Sequence, residues 1–372
     1  MIPIADPRLD DREKASVLDV LDSGQIAAGP EVQAFESEFA SAVGADDAVA
    51  VANGTAALHA ACEALGLGEG DVVVTTPFSF VASANAPRFC GATPIFADVD
   101  PETYNLDPEA VRETLEERDG DVDAILVVHL YGLPAPLDDL ASIAEEYDCY
   151  LIEDCAQALG ATHGGRHVGT VGDVGCFSFY PTKTVTTGEG GMVVANDPEI
   201  CDRAARFANH GRTDTYEHAS VGHNLRMTDL AAAIGRVQLD RLDELVAARR
   251  SNARTLTRAL DGVPALEPPV EPSGHRHAYN QYTVRHPERD RLIEHLDDRG
   301  IGTGVYYPLP IHRQPAYEEW TARLPVAERA AEEVVSLPVH PSLDDEDIAT
   351  IAETVVEYCE GSVAASGGGG GD

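Results

Sequence analysis

Three short stretches carry side chains whose types and spacing suit joint chemistry. In "ANGTAAL" an apolar run ends at Asn53-Gly54-Thr55, and a helix is expected to begin at about Thr55. Glycine permits close backbone approach, and the free N–H groups of a helix start favour an anion such as phosphate. Taken alone, the same residues also read as a plain turn and cap. In "YLIEDCAQA" the run Tyr150 to Ile152 delivers Glu153 and Asp154 to a strand end. Successive strand side chains alternate, so only one of these two acids enters a given pocket. An acid beside an aromatic nitrogen would hold that nitrogen protonated, which an electron-sink cofactor needs; a helix cap is the alternative. The third stretch, "SFYPTKTVTTGEGG", leaves a short strand at Ser178 and offers Lys183. A lysine near a phosphate cradle and an acid can form a Schiff base with an aldehyde.

Lys183 stands out against its background. Of 26 basic residues all but Lys14 and Lys183 are arginine, so surface lysines are almost eliminated. Lys14 lies in the charged run "DDREK", where nothing points to chemistry. Arginine is too basic to replace lysine as nucleophile or proton acceptor. Sixty-four Asp and Glu give a formal net charge of −38, spread along the chain. Such a field repels polyanions, so nucleic acid and anionic membrane surfaces are not expected partners. With the loss of lysine, it suggests a salt-loving cytoplasm where counterions screen the repulsion. No targeting segment or membrane span is legible, and a cytoplasmic location is expected. Seven cysteines form no C-x-x-C pair and read as reduced, mostly buried thiols. His129, His210, His312 and His340 are scattered without metal-ligand spacing, and no metal is expected. Glu189 in "TGEGG" shapes a loop that is no P-loop, since no G-K-[ST] follows.

These residues need a scaffold, and the pattern supplies one. "PEVQAFESEFASAV" has helical periodicity, with Val32, Phe35, Phe39 and Val43 on one face. "DAVAVAN", "DVVVTTP", "ATPIFADVD", "VDAILVVHLYG" and "CYLIEDCAQ" read as strands separated by helical segments such as "TAALHAACEAL" and "FVASANAPRFC". This rhythm indicates α/β architecture, a mainly parallel sheet covered by helices. A long amphipathic stretch over 228–260 carries the chain towards a smaller α+β region with "YNQYTVRH", a helix near 289–299 and a last helix near 343–359. The expected division is a large domain over 1–245 with an N-terminal arm, a small domain over 246–362 and a flexible glycine-rich tail over 363–372.

In their order, and with "TPFSFVASANA" between the first two, the three stretches form a set suited to pyridoxal phosphate. From about residue 10 to 358 the chain resembles the DegT/StrS-type sugar aminotransferases, which have the aspartate-aminotransferase fold (fold type I). "GPEVQAFESEFA", "NGTAALHAA", "PIFADVDPETYNLDP", "IEDCAQALGA", "GCFSFYPTKTVTTGEGGMV", "GHNLRMTDLAAAIG", "VYYPLPIH" and "SLPVHPSL" carry the likeness, and jointly they are highly specific. The resemblance implies a PLP-dependent transferase with a mainly parallel seven-stranded sheet in its large domain. It implies that Lys183 carries the cofactor and serves as the base that moves the proton. Asp154 would pair with the pyridinium nitrogen, Gln157 would lie near the 3-oxygen, and Phe80 would stack on the ring. Gly54, Thr55 and Ser178 would hold the phosphate.

The family's pattern also implies a homodimer with shared sites, Asn224 reaching the phosphate of the partner's cofactor. Tyr307 and His312 would border the sugar, and Arg212 and Arg226 would meet a substrate diphosphate. The implied reaction transfers an amino group, with L-glutamate as donor, to a nucleotide-linked 3- or 4-keto sugar. A keto-inositol acceptor is an alternative, as is a PLP-binding regulator without turnover. The branch of the family that removes a sugar hydroxyl has histidine at this lysine, so Lys183 argues against it.

Overall fold

The structure, a computed structural model, describes residues 1–367. The described residues form twelve strands, nine of them from mainly apolar runs and three (β6, β7 and β10) from polar pairs: β1 (Asp47–Val51), β2 (Val72–Thr75), β3 (Thr93–Phe96), β4 (Ala124–Val128), β5 (Tyr150–Asp154), β6 (Thr162–His163), β7 (Arg166–His167), β8 (Val174–Ser178), β9 (Gly191–Ala195), β10 (His275–Arg276), β11 (Tyr282–Arg285) and β12 (Val334–Leu337). Seven of them form one sheet in the order β1-β9-β8-β5-β4-β2-β3. Pairings from β3 through β8 are parallel, and β9 alone runs against both neighbours. The expected α/β class with a mainly parallel seven-stranded sheet is therefore what forms.

Each face of that sheet has its own core. Ile125, Val127, Leu151 and Phe177 join the helix Pro30–Val43 in one cluster, while Ala124, Leu126, Val128, Ile152 and Cys176 join the helix Gly54–Leu65 in the other. The first cluster is pinned by aromatic rings. Phe39 lies 5.0 Å from Phe177 and 5.5 Å from Phe179, centroid to centroid, and 6.0 Å from Phe35. Phe177 and Phe179 flank Ser178, so their burial turns Ser178 to the opposite face.

The amphipathic stretch over 228–260 is two helices, Asp229–Asp240 and Leu242–Leu260, joined at Arg241. The second helix spans two cores: Leu242 and Val246 pack below the sheet, and Ala253, Leu256 and Leu260 pack around the β11–β12 pair. Residue 245, where the large domain was expected to end, lies inside this helix. The helix Arg289–Asp298 matches the helical pattern of its sequence. The last helix runs Asp345–Gly367. It takes in 363–367, which were expected to be flexible tail, and 368–372 lie outside the described residues. Among the described residues no disulfide forms, five of the seven cysteines are buried, and no helix is long and apolar enough to cross a membrane.

Truncating Phe39 tests how the aromatic cluster supports the strand that carries Ser178. Phe39→Ala is expected to cost about 3–5 kcal/mol, as buried Phe-to-Ala changes do, read from the denaturant midpoint at unchanged slope.

Candidate active site

Glu153 and Asp154 close β5, and the alternation of the strand sends them to opposite faces. Glu153 is fully buried and accepts four hydrogen bonds. Its Oε1 takes the N–H groups of Val171 (2.8 Å) and Gly172 (2.7 Å), and its Oε2 takes Gly169 N–H (2.6 Å) and His129 Nε2 (2.9 Å). Ala135 N–H donates to His129 Nδ1 at 3.0 Å, so the ring proton sits on Nε2 and points at Glu153. Burial pulls the Glu153 carboxyl up, but these donors outweigh it and hold the group below the ordinary carboxylate value. Glu153 ties the end of β5 to the 169–172 turn.

Asp154 faces the other way, on the side of Ile152 and Val128. It is buried and accepts two hydrogen bonds, from Ser83 Oγ (2.9 Å, to Oδ2) and Ala156 N–H (3.1 Å, to Oδ1). Burial raises its pKa; those two donors and the Lys183 charge oppose the rise without cancelling it. An additional cation beside it would complete the compensation.

Gly54 opens the helix Gly54–Leu65, capped by Asn53, whose Oδ1 accepts Ala56 N–H at 2.9 Å. The Gly54 and Thr55 N–H groups belong to the first turn and have no carbonyl of the helix to bond. Three backbones converge here. A Cβ on Gly54 would stand 2.7 Å from Ser178 Cβ, and one on Gly191 would stand 2.4 Å from Asn53 O. Ser178 and Gly191 are register partners between β8 and β9. Glycine at 54 and 191 is thus required for the contact, and the result is a cradle of N–H groups and one hydroxyl suited to an anion. The chain then turns through Lys183, whose N–H donates to Tyr180 O at 2.9 Å. Burial lowers the Lys183 amine to about 8, against the attraction of Asp154. A substantial fraction is therefore neutral near pH 8, as a nucleophile or proton acceptor requires.

One cavity of about 780 Å³ brings together Gly54, Thr55, Phe80, Asp154, Gln157, Ser178, Lys183 and Tyr307. Gln157 is fixed from both ends: its Oε1 accepts Tyr131 N–H at 2.6 Å and its Nε2 donates to Tyr307 Oη at 3.0 Å. Phe80 is 57% exposed with its ring 6.2 Å from Tyr307, a large apolar face left uncovered at the cavity. Glu189 also lines the wall.

The other four expected contacts lie elsewhere. His312 is buried in a separate cluster, with Nε2 3.1 Å from Glu328 Oε1 and its ring near Phe96, so it does not reach this cavity. Arg226 donates to Asn209 Oδ1 at 2.7 Å, and Arg212 is exposed; neither is on the cavity wall. Asn224 is exposed too, on the segment bridged to Asn209. Asn53, His59, Ser79, Tyr180, Gln281 and Tyr306 line the cavity without having been anticipated. Asn53, Ser79 and Tyr306 stand beside expected residues and were within reach of the motifs; Gln281 comes from the distant C-terminal region, in a stretch legible only as a strand.

Residues 7–356 match the model of the DegT/DnrJ/EryC1/StrS aminotransferase family. The chain is 38% identical over 355 residues to a "Pleiotropic regulatory protein" of Geobacillus stearothermophilus, covering 93% of this chain and 95% of that one. It is 37% identical over 362 residues to the GDP-perosamine synthase of Escherichia coli O157:H7, covering 96% and 98%. Among solved structures, S. venezuelae DesV in complex with a ketimine intermediate superposes with a TM-score of 0.91 at 37% identity, over 94% of each chain.

Two outcomes follow from the cavity. Gly54→Ala drives a methyl group into Ser178, and the apoprotein is expected to bind pyridoxal phosphate at least tenfold more weakly, about 1.4 kcal/mol, with its unfolding midpoint lowered because the overpacking costs about 1–3 kcal/mol; equilibrium dialysis measures the first and circular dichroism the second. Lys183 keeps its proton below its pKa of about 8 and cannot attack. The rate at which the apoprotein captures the aldehyde should therefore climb with pH and level off above about 8, followed by absorbance in stopped flow.

Proposed function

Since the chain belongs to the DegT/DnrJ/EryC1/StrS aminotransferase family, a family of PLP-dependent sugar aminotransferases, we propose that it transfers an amino group from L-glutamate to the 3- or 4-keto position of a nucleotide-linked sugar. The observation that carries this reading is the placement of Lys183, with its lowered amine, in one cavity with Asp154 and the Gly54–Ser178 cradle.

The residues present fit pyridoxal phosphate. Gly54 and Thr55 N–H with the Ser178 hydroxyl would hold the phosphate, and Asp154, with acceptor capacity to spare, would hold the ring nitrogen. Gln157 would lie at the 3-oxygen and Phe80 against the ring face. Bound there, the cofactor supplies an electron sink for the pair left when a carbon beside nitrogen loses its proton. Asp154 keeps a negative charge at the ring nitrogen in a dry site, where it acts most strongly. Lys183 Nζ takes the proton from the α-carbon of the amino donor and carries it to the carbon that must receive it, which a neutral amine can do and a guanidinium cannot. Tyr307 and Tyr306 face the space left for the sugar.

The protein works as a homodimer in this reading, with Asn224 extended to the partner's phosphate site; its exposure on a bridged segment supports this. The net charge of −38 and the scarcity of lysine support a salt-rich cytoplasm. The relative named as a regulatory protein favours a second reading, in which the cofactor is held without turnover.

Release of 2-oxoglutarate from glutamate, across a panel of nucleotide-linked 3- and 4-keto sugars, decides between the two. Turnover with one member of the panel is expected. Lys183→Ala should leave the protein folded, remove the absorbance of lysine-bound cofactor, and lower turnover by at least ~10³-fold, in the range set by losing an acid–base group. Normal activity in that variant ends the proposal.

A further inference from the structure

We propose that His59, Glu63 and Cys90 form a binding site for a thiophilic divalent cation of the zinc class, set beside the cofactor cavity. His59 and Glu63 stand four residues apart on the helix Gly54–Leu65, which puts them on one face. Cys90 ends the helix Ala82–Cys90, which packs against it. One ligand atom from each, an imidazole nitrogen, a carboxylate oxygen and the sulfur, lies within 4.8 Å of the other two.

The spacing suits an ion better than it suits direct contacts. His59 Nε2 and Glu63 Oε1 are 3.7 Å apart, too long for a hydrogen bond. Two ligands on a tetrahedral zinc with bonds of about 2.0–2.1 Å stand about 3.4 Å apart, so a small inward shift seats the ion. The donor set also fits: thiolate and imidazole select zinc-like ions, and a carboxylate completes the third position.

A second trio, His129, Glu153 and Cys155, meets the same distance criterion and shows by contrast what makes the first one available. Glu153 has spent both oxygens on four donors, and His129 has spent both ring nitrogens. Among the described residues the Glu63 oxygens have only the long contact to His59, while Cys90 Sγ lies 3.5 Å from Ala86 O one turn back and makes side-chain hydrogen bonds with Cys62 and His59, which a bound ion would replace. The His59 ring is meanwhile held by Phe207 (4.8 Å), Phe89 (5.4 Å) and His223 (5.5 Å), which orients it while its nitrogen bonds the Cys90 sulfur. The sequence showed no metal-ligand spacing because the third ligand comes from a different helix.

Three protein ligands leave a fourth position for water or an anionic oxygen. His59 and its neighbour Phe89 also line the cofactor cavity. Because Cys90 gives up its proton on binding, a divalent ion here would raise the charge of the cavity wall by one in a strongly acidic chain, and would clamp the helix that begins at the Gly54 cradle to the one that carries Ser83.

The test uses the cofactor-loaded protein and cobalt(II) as the probe. Dialysis is expected to give one tightly held Co²⁺ per chain, with the visible absorption of a tetrahedral thiolate site, and Zn²⁺ should displace it and bleach the bands. Cys90→Ser and Glu63→Gln, on two different helices, should each weaken uptake at least tenfold, with circular dichroism and cofactor absorbance confirming the fold. Cys149→Ser, at a half-buried cysteine elsewhere, should leave uptake unchanged. Absence of stoichiometric uptake, or wild-type affinity in either of the two site variants, overturns the proposal.

Discussion

Asp154 is a buried carboxylate with two hydrogen-bond donors, while its neighbour Glu153, equally buried, has four. Removing a charge from water costs several kcal/mol unless partners restore what water gave. Glu153 is repaid within the fold and becomes a structural tie. Asp154 is repaid only in part, by two donors and the Lys183 charge, and a cation entering the cavity would supply the remainder. The site is built around that difference. A single step along β5 separates a carboxylate finished with bonding from one held ready, and the period of two in a strand keeps them on opposite faces.

The remaining parts of the cavity follow from getting backbones close to Asp154. β5 pairs in parallel with β8, so the carboxyl ends of both strands open at the same edge, where open α/β sheets place their ligands. Burial of Phe177 and Phe179 among the rings of Phe35 and Phe39 leaves Ser178 no direction except into the cavity. The missing side chains of Gly54 and Gly191 then let the helix start and the β8–β9 hairpin meet. Core packing on one face of the sheet thus sets polar geometry on the other.

Much of this was legible because it is local. Strand ends, a helix start and the alternation of Glu153 and Asp154 are read from consecutive residues, and the rarity of lysine singled out Lys183. What escaped notice depends on long-range placement. Ser83, which donates to Asp154 from 71 residues away, gives no sign of that role in "FVASANAPRFC". The family resemblance placed His312 with Tyr307 at the sugar, yet the chain turns between them and sends it to Glu328 and Phe96. Arg212 and Arg226 attract interest in any acidic chain, and no local pattern tells an arginine on a cavity wall from one that bonds Asn209 or lies exposed. The break at Arg241 was hidden for a related reason: no Gly or Pro marks the join between Asp240 and Leu242, and only the backbone shows the interruption.

The charge of the whole chain and the acidity of Lys183 pull in opposite directions, and comparing their range shows which governs the chemistry. A net charge of −38 favours protonated amines everywhere on the molecule. At physiological salt the Debye length is about 8 Å, so carboxylates across the surface are largely screened from a group inside the cavity. Desolvation acts at contact range and salt does not screen it. The amine is lowered to about 8 although the nearest carboxylate, Asp154, works to raise it. The acidic surface and the reactive amine can therefore coexist in one molecule, because the first is a matter of solvation in salt and the second is decided within the few ångströms around Lys183.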